Sequence, residues 1–275
     1  MSATSPNGSR VRLHIEDSGG DGRPVVLIHG WPLSADAWKD QVGPLRDAGY
    51  RVIAYDRRGF GRSEKPQDGF DYDTLAADTA SLLDDLDLRD ATLVGFSMGG
   101  GEVARYIANF GEDRLRSVVF ASAVPPYMMK TDDNPDGPLT KEQAKEMEDG
   151  LKAGREKFFD QFTKAFFTAK GELKVSEAQR QEALALCLQS DQAAALGCMK
   201  AFGTTDFRDD LKKIGVPTLV LHGDADGVVP IEGSGQRTHA AVKGSELSVI
   251  AGAPHGCNTS HAEAFNRALL AFLGG

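Results

Sequence analysis

The chain has 275 residues, of which 41% are hydrophobic and 26% are charged. These fractions are typical of a globular protein with a sizeable core, and they exclude a disordered or fibrous chain. The net charge is −9, and the sequence has no Lys/Arg-rich face that would neutralise phosphates. Nucleic acid and anionic membrane are therefore excluded as expected partners.

The first ten residues are polar, and no later stretch approaches the ~20 apolar residues of a membrane span. The three cysteines, Cys187, Cys198 and Cys257, form neither a CxxC pair nor an even-numbered disulfide framework. We expect them to be reduced and to fill space in the core. Together these features predict a cytoplasmic protein.

Six short apolar runs, each bounded by Gly, Pro or Asp, are typical of buried strands. They cover residues 24–28, 51–55, 91–94, 117–121, 217–221 and 247–250. Helical patterns lie between them, including 73–86 and 102–109, and a terminal helix is predicted over 262–273. This alternation predicts an α/β fold with a mostly parallel central sheet and helices on both faces.

The alternation stops between residues 125 and 204, where helical segments follow one another with no strand between them. We predict a helical cap over 125–204, inserted in a core domain made of residues 1–124 and 205–275. Five phenylalanines of this segment fall at helical spacing, namely Phe158, Phe159, Phe162, Phe166 and Phe167. Their aromatic face either packs onto the main domain or roofs a substrate pocket.

The segment Gly95-Phe96-Ser97-Met98-Gly99 follows a predicted strand and precedes a helical pattern. A nucleophile at such a sharp strand-to-helix turn needs small neighbours, which the glycines supply. Ser97 is therefore the candidate nucleophile. A phosphate-binding loop is not favoured, because the segment has neither Gly-Lys-Ser/Thr nor a GxGxxG register.

Free backbone N–H groups at the start of this helix suit the negative charge that develops on a carbonyl oxygen. The N–H of Met98 is the first candidate donor to such an oxyanion. The second is expected in His29-Gly30-Trp31-Pro32, after the first central strand. There Trp31 is the candidate, because Pro32 has no N–H.

A serine hydroxyl needs an imidazole as base, and the imidazole needs a carboxylate that orients it. His255 lies in a loop of small residues, 252–256, just beyond the last predicted strand. His239 and His261 fall inside helical patterns, where solvated or capping roles are expected. His255 is therefore the candidate base.

Two aspartates, Asp224 and Asp226, compete as the acid directly after the strand pattern 217–221. Asp224 is the better candidate for shaping the turn, as Asp side chains do, which favours Asp226 as the acid. No HExxH or other convergent ligand set is present, so we expect no metal and no cofactor.

Three further polar residues are expected to stabilise the fold rather than take part in catalysis. His29, at the end of a strand pattern, is expected to hold its loop by hydrogen bonds. Arg57 and Arg58 lie in a charged glycine turn, 56–63, which could recruit an anion. Hydrogen bonds that stabilise the fold are the favoured interpretation of these arginines.

With these residues, nearly the whole chain resembles the α/β-hydrolase superfamily, and within it the bacterial arylesterases and cofactor-free haloperoxidases, also called perhydrolases. The resemblance rests on six separated motifs: HGWP at 29–32, YDRRGFGRS at 55–63, GFSMGGGEVARY at 95–106, KTDDNPDG at 130–137, TDFR at 205–208 and GAPHG at 252–256. It implies an α/β-hydrolase fold, Asp226 as the triad acid, and Trp31 and Met98 as the oxyanion donors. Trp31, Phe96 and Pro32 are expected to contact the substrate.

Members of this family hydrolyse aryl and short-chain esters, and some open lactones or lactams. Many form peracids when hydrogen peroxide replaces water, and the peracid oxidises halide. A proline after the tryptophan, here Pro32, is similar to the sequence of the haloperoxidase-like members. Because proline fixes the local backbone and could direct the Trp31 carbonyl toward an incoming peroxide, we take enhanced perhydrolysis as a hypothesis. One departure is the polar run 257–260 after His-Gly, where members usually have apolar residues, and it suggests a more polar pocket wall.

The sequence therefore predicts a serine esterase that acts on small esters through an acyl-enzyme, with perhydrolase side activity and a homo-oligomeric state. A lactonase or γ-lactamase with the same triad is the alternative enzyme. A ligand-binding receptor on a hydrolase scaffold is the alternative of another class. A haloalkane dehalogenase or epoxide hydrolase would need a carboxylate where Ser97 stands.

Overall fold

The computed structural model describes residues 2–4 and 10–275. Its centre is a seven-stranded sheet with the order β11-β10-β7-β6-β4-β5-β3. The strands are β3 (Ile15–Asp17), β4 (Pro24–Ile28), β5 (Arg51–Tyr55), β6 (Ala91–Phe96), β7 (Leu115–Ala121), β10 (Thr218–Gly223) and β11 (Glu246–Ile250). All neighbours pair in parallel except β3, which is antiparallel to β5. The carboxyl ends of the parallel strands therefore meet along one edge, where loops carry functional side chains.

All six predicted strands are present, and the mostly parallel sheet is confirmed. β4 and β5 have the predicted bounds, whereas β6 extends two residues further and ends at Phe96. β3 was not predicted, because Ile-Glu-Asp has one apolar residue and the strand is at the sheet's edge. The antiparallel pair β1 (Ser2–Thr4) and β2 (Arg10–Arg12) was also not predicted.

Eleven α-helices are assigned in residues 2–4 and 10–275. They are α1 (Lys39–Asp47), α2 (Tyr72–Asp85), α3 (Met98–Phe110), α4 (Lys141–Ala153), α5 (Arg155–Phe167), α6 (Glu177–Gln189), α7 (Gln192–Thr204), α8 (Arg208–Leu211), α9 (Gly235–Ala241), α10 (Cys257–Ser260) and α11 (Ala262–Leu273). The terminal helix has its predicted bounds. α3 begins at Met98, earlier than predicted, because three consecutive glycines in its first turn give no apolar periodicity.

Within residues 125–204 the chain forms helices α4 to α7, but the expectation of no strand there is wrong in one place. β8 (Thr168–Ala169) pairs antiparallel with β9 (Glu172–Leu173). The two residues between them, Lys170 and Gly171, both have positive φ, at 52° and 80°. Such a turn closes a short hairpin, and its two-residue strands are too short to give a periodic signal. The division into a core and a cap at 125–204 stays a prediction.

The aromatic face of α5 packs onto the core, as the first of its two interpretations requires. Phe159, Phe166 and Phe167 are buried. The ring of Trp31 makes edge contacts with Phe158, Phe159 and Phe162 of α5 and with Phe202 of α7. Trp31 therefore joins the loop after β4 to these helices.

Within the described residues, no helix has the length and apolar character needed to cross a membrane. The three cysteines are buried and unpaired, as expected. Burial raises the pKa of the Cys198 and Cys257 thiols to about 12, so both remain protonated at neutral pH.

Candidate active site

Ser97 occupies the turn between β6 and α3, with φ 54° and ψ −117°. A non-glycine residue at positive φ is strained, and such strain is frequent at functional sites. The backbone around Ser97 leaves no space for a side chain at Gly95 or Gly99. A Cβ on Gly95 would lie 2.5 Å from the carbonyl oxygen of Gly99, and one on Gly99 would lie 2.5 Å from that of Ile28. The sequence therefore folds into the sharp turn that projects the Ser97 side chain from the end of the strand.

Three predicted residues come together here in one hydrogen-bonded chain. Ser97 Oγ lies 2.9 Å from His255 Nε2, and His255 Nδ1 lies 2.7 Å from Asp226 Oδ2. His255 is only 1% exposed. Since the carboxylate accepts from Nδ1, the hydrogen of the neutral ring resides there, and Nε2 is free to accept the Ser97 proton.

The structure places Asp226, rather than Asp224, against the imidazole. The other oxygen of Asp226 accepts hydrogen bonds from the N–H groups of Val228 and Val229, at 2.9 and 2.8 Å. Burial raises the pKa of Asp226, but the charge of His255 and hydrogen bonds from His222 and His255 outweigh it and hold the pKa well below its usual range. Asp226 is thus a carboxylate at neutral pH.

Asp224 does not contact the imidazole, and its carboxylate holds another loop rather than its own turn. Its Oδ1 accepts a hydrogen bond of 2.6 Å from the N–H of Gly252, in the loop that leads to His255. Of the other histidines, His239 lies in α9 with its Nδ1 near Ser245 Oγ, and His261 lies between α10 and α11. Neither is brought to Ser97.

His29 holds its loop, as expected. Its Nε2 accepts a hydrogen bond from the backbone N–H of Arg57, so its Nδ1 carries the hydrogen and donates to the carbonyl of Gly30 at 2.8 Å. Burial and the nearby guanidinium of Arg57 lower the pKa of His29 to about 3. The ring is therefore neutral and fully used in local hydrogen bonds, which fits a structural residue.

The two arginines of the following turn are also structural. Arg57 pairs with Glu102 of α3, and both side chains are 1% exposed. Arg58 pairs with Asp78 of α2 through two hydrogen bonds of 2.5 and 2.6 Å. These buried pairs connect the turn after β5 to two helices, and the predicted fold-stabilising role is confirmed.

Trp31 lines the same cavity as Ser97, and Met98 follows Ser97 in the chain. The side chain of Trp31 is anchored by a 2.9 Å hydrogen bond from Nε1 to the carbonyl of Ala195. Met98 is the first residue of α3, and an N–H at that position has no acceptor within its helix. Within the described chain neither backbone N–H is engaged in a hydrogen bond, which leaves both available to a ligand.

A cavity of about 660 Å³ opens onto Ser97 and His255. This volume lies in the range of small-molecule sites. Most of its lining is apolar and comes from the core loops and from α4, α5 and α7, with Trp31, Val124, Met128, Leu139, Phe162 and Val229 among the residues. Phe158 and Phe162 line it too, so the α5 face both packs on the core and borders the pocket. Phe96 and Pro32, both in the described range, lie outside this lining, and their contact with substrate stays a prediction.

The loop that carries His255 is fixed from two sides. The ring of Phe166 lies edge-on to His255 at 5.1 Å, and the carbonyl of Phe166 accepts a 2.9 Å hydrogen bond from the N–H of Gly256. On the other side, Asn258 donates to the carbonyl of Ala37, and its own carbonyl accepts from buried Gln41. The polar run 257–260 therefore anchors the loop and does not line the 660 Å³ cavity, contrary to the expected polar pocket wall.

The comparisons with known proteins agree with this geometry. The family model for the alpha/beta hydrolase fold matches residues 23–259. A non-heme chloroperoxidase of Kitasatospora aureofaciens is 47% identical over 92% of this chain and 93% of its own. A bifunctional esterase/perhydrolase of Acinetobacter calcoaceticus is 41% identical over 96% of both. The crystal structure of a bromoperoxidase from Bacillus anthracis superposes with a TM-score of 0.96 at 49% identity, covering 100% of this chain and 99% of that one.

The chain belongs to the α/β-hydrolase family, and within it to the non-heme haloperoxidases. The resemblance found in the sequence is thereby confirmed, and the protein is a hydrolase-type enzyme with the α/β-hydrolase fold.

Proposed function

We propose that Ser97, His255 and Asp226 are the catalytic triad of a serine esterase, and that the N–H groups of Trp31 and Met98 form its oxyanion hole. The observation that carries this proposal is the continuous hydrogen-bonded chain from Ser97 through His255 to Asp226 at the cavity. The strained backbone of Ser97 and the two free N–H groups beside it support the same assignment.

In this mechanism Ser97 Oγ attacks the ester carbonyl carbon while its proton passes to His255 Nε2. Asp226 stabilises the imidazolium that forms, and the two N–H groups stabilise the negative charge on the carbonyl oxygen. Collapse of the tetrahedral intermediate breaks the bond to the leaving alcohol, which takes the proton from His255. The result is an ester between the acyl group and Ser97.

A second nucleophile then releases the acyl group by the same steps in reverse. Water gives the carboxylic acid, and hydrogen peroxide gives a peracid, with His255 taking the proton of either one and returning it to Ser97. The peracid formed with peroxide is the oxidant that reacts with halide. Relatives named as an esterase/perhydrolase and as non-heme chloroperoxidases support both outcomes for this chain.

The lining of the cavity supports small uncharged esters as substrates. No lysine or arginine occurs among the described residues that line it, and its one charged side chain is Glu146. An anionic acyl group would therefore enter without a counter-charge. The aromatic rings of Trp31, Phe158 and Phe162 favour aryl or short alkyl groups beside Ser97.

The core and cap division, with the cap at 125–204, belongs to this proposal because α4, α5 and α7 would then provide the roof of the pocket. We also propose a cytoplasmic enzyme, in keeping with its three unpaired thiols, and a homo-oligomer.

The proposal is tested by turnover of aryl acetates, lactones and lactams, each with and without hydrogen peroxide. We expect the highest kcat/KM with aryl acetates, and peracetic acid when peroxide is added. Preference for a lactone or lactam would replace esterase by lactonase or lactamase. Tight binding with no turnover of any compound would indicate a receptor.

The role of Pro32 in perhydrolysis has its own test. Proline fixes the backbone beside Trp31, whose carbonyl group we place toward an incoming peroxide. In Pro32→Leu we expect the ratio of peracetic acid formation to acetate formation to fall about 10-fold, because positioning of the nucleophile is lost. Both rates are measured on one aryl acetate. An unchanged ratio in a variant with a native thermal transition would remove the peroxide role and leave the esterase proposal intact.

A further inference from the structure

His222 is a buried histidine that the proposed mechanism does not use. It lies in β10, four residues before Asp226, and its side chain is 0% exposed. Its Nε2 is 2.8 Å from the carbonyl oxygen of Val229 and 3.3 Å from Asp226 Oδ2. The same Asp226 oxygen accepts the hydrogen bond from His255 Nδ1. Two imidazoles therefore converge on one carboxylate oxygen.

The contacts define which nitrogen of His222 carries a hydrogen. Both neighbours of Nε2 are acceptors, so Nε2 is the donor. Nδ1 is buried and has no hydrogen-bond partner in the described part of the chain. It faces Gly235 of α9, where an added Cβ would lie 2.6 Å from Nδ1. A second proton on Nδ1 would thus be buried without an acceptor, and the neutral Nε2–H form is the one that fits.

The remaining elements around this ring contribute little charge. β11 places Val249 opposite His222 in the sheet register. The loop before α10 brings His255, which shares Asp226 Oδ2 with His222. On α9 the charged Arg237 is directed to Asn134. Asp226 is therefore the charged partner that His222 meets.

We propose that His222 is a positioning residue that orients Asp226 for His255. The single Nε2 hydrogen of His222 donates to the Val229 carbonyl at 2.8 Å, and Asp226 Oδ2, at 3.3 Å from Nε2, is a second and longer acceptor of the same hydrogen. The Val229 N–H in turn donates to Asp226 Oδ1 at 2.8 Å. His222 is thus linked to Asp226 both directly and through Val229. This inference rests on the proposed triad.

Loss of the His222 donor has two consequences. The Asp226 carboxylate then loses the His222 donor, and its negative charge is less well neutralised. The carboxylate therefore stabilises the imidazolium form of His255 more strongly. The acid limb of kcat/KM against pH should therefore move to higher pH. Since the carboxylate is also less well oriented, kcat should fall, whereas KM should change little because His222 does not line the cavity.

The experiment compares His222→Leu, which removes the donor, with His222→Gln, whose amide N–H can replace Nε2–H. With an aryl acetate we expect kcat of the leucine variant to fall about 10- to 100-fold, the scale seen when a partner that orients a metal-bound side chain is removed. The acid limb should move upward by about half a pH unit. In the glutamine variant, kcat and the position of the acid limb should both be close to those of the native enzyme. Val220→Ala, in the same buried strand, is the control for destabilisation alone and should leave the acid limb in place.

Equal pH profiles for folded His222→Leu and the native enzyme would overturn the inference, as would a glutamine variant as impaired as the leucine one. If the leucine variant does not fold, nitrogen-15 NMR of the native protein decides, because the inference requires the neutral ring of His222 to carry its hydrogen on Nε2. An Nδ1–H tautomer would refute it. The tautomer is read without turnover, so this result is separate from failure of the triad itself, which activity in Ser97→Ala would reveal.

Discussion

Replacing Ser97 with alanine is expected to reduce kcat for an aryl acetate by about 10⁶-fold, the scale of nucleophile removal in other triads. The reason is that no other hydroxyl contacts His255 Nε2, within the described residues, in the position that Ser97 Oγ occupies. A residual rate of about 10³- to 10⁴-fold over water is expected from the remaining oxyanion donors and the cavity. The measurement is steady-state turnover, with circular dichroism and a thermal transition as checks on folding.

Ser122→Ala is the matched control for this substitution. Ser122 is also a buried serine at positive φ (43°), just beyond the carboxyl end of the neighbouring strand β7. Its Oγ, however, is 3.5 Å from the Cys257 thiol and not near the imidazole nitrogen. A fluorophosphonate should add once to the native enzyme and to Ser122→Ala, at Ser97, and should not add to Ser97→Ala. Full turnover by Ser97→Ala would refute the proposed mechanism.

The parallel sheet was predictable because each central strand is buried on both faces and is therefore a continuous apolar run. β4 and β5 show this best, with predicted and observed bounds that coincide. β3 and the hairpin β8–β9 lack that signal, since they are exposed or only two residues long. Their pairing depends on neighbouring chain and on turn geometry rather than on their own composition.

The candidate site also has some features that leave a local sequence signal and others that do not. Ser97 could be placed because close backbone approaches leave no space for a Cβ at Gly95 or Gly99, and this requirement leaves a local sequence pattern. The anchoring of the base loop leaves none, because Gln41 and Asn258 are 217 residues apart and meet only in the folded chain. The pocket lining from α4 and α5 depends in turn on how these helices pack, which their own periodicity does not specify.

His222 illustrates why a neighbouring motif residue can be overlooked. Next to Asp224 and Asp226 it is simply the last polar residue of a buried strand, and a satisfied core histidine would have the same local sequence. Only the convergence of two imidazoles on Asp226 Oδ2 distinguishes it.

Replacing Asp226 with asparagine is expected to lower kcat by about 10⁴-fold, as when the acid of another triad is changed to its amide. The amide oxygen would stay with the N–H groups of Val228 and Val229, which leaves the NH₂ group facing His255. A donor there favours the tautomer with hydrogen on Nε2, and that tautomer cannot accept the proton of Ser97. The variant should therefore fold but turn over an aryl acetate very slowly.

Asp224→Asn is the comparison that makes this result specific. The oxygen of asparagine can still accept the hydrogen bond that Asp224 Oδ1 receives from Gly252. The contact between the loop after β10 and the loop after β11 should therefore persist, and kcat should stay within about threefold. Both variants are measured across pH 6 to 9 on one aryl acetate. A larger loss at Asp224 than at Asp226 would reverse the assignment of the acid. Because both substitutions remove one negative charge and lie two residues apart, a much larger loss at Asp226 in a folded variant would point to its contact with the imidazole.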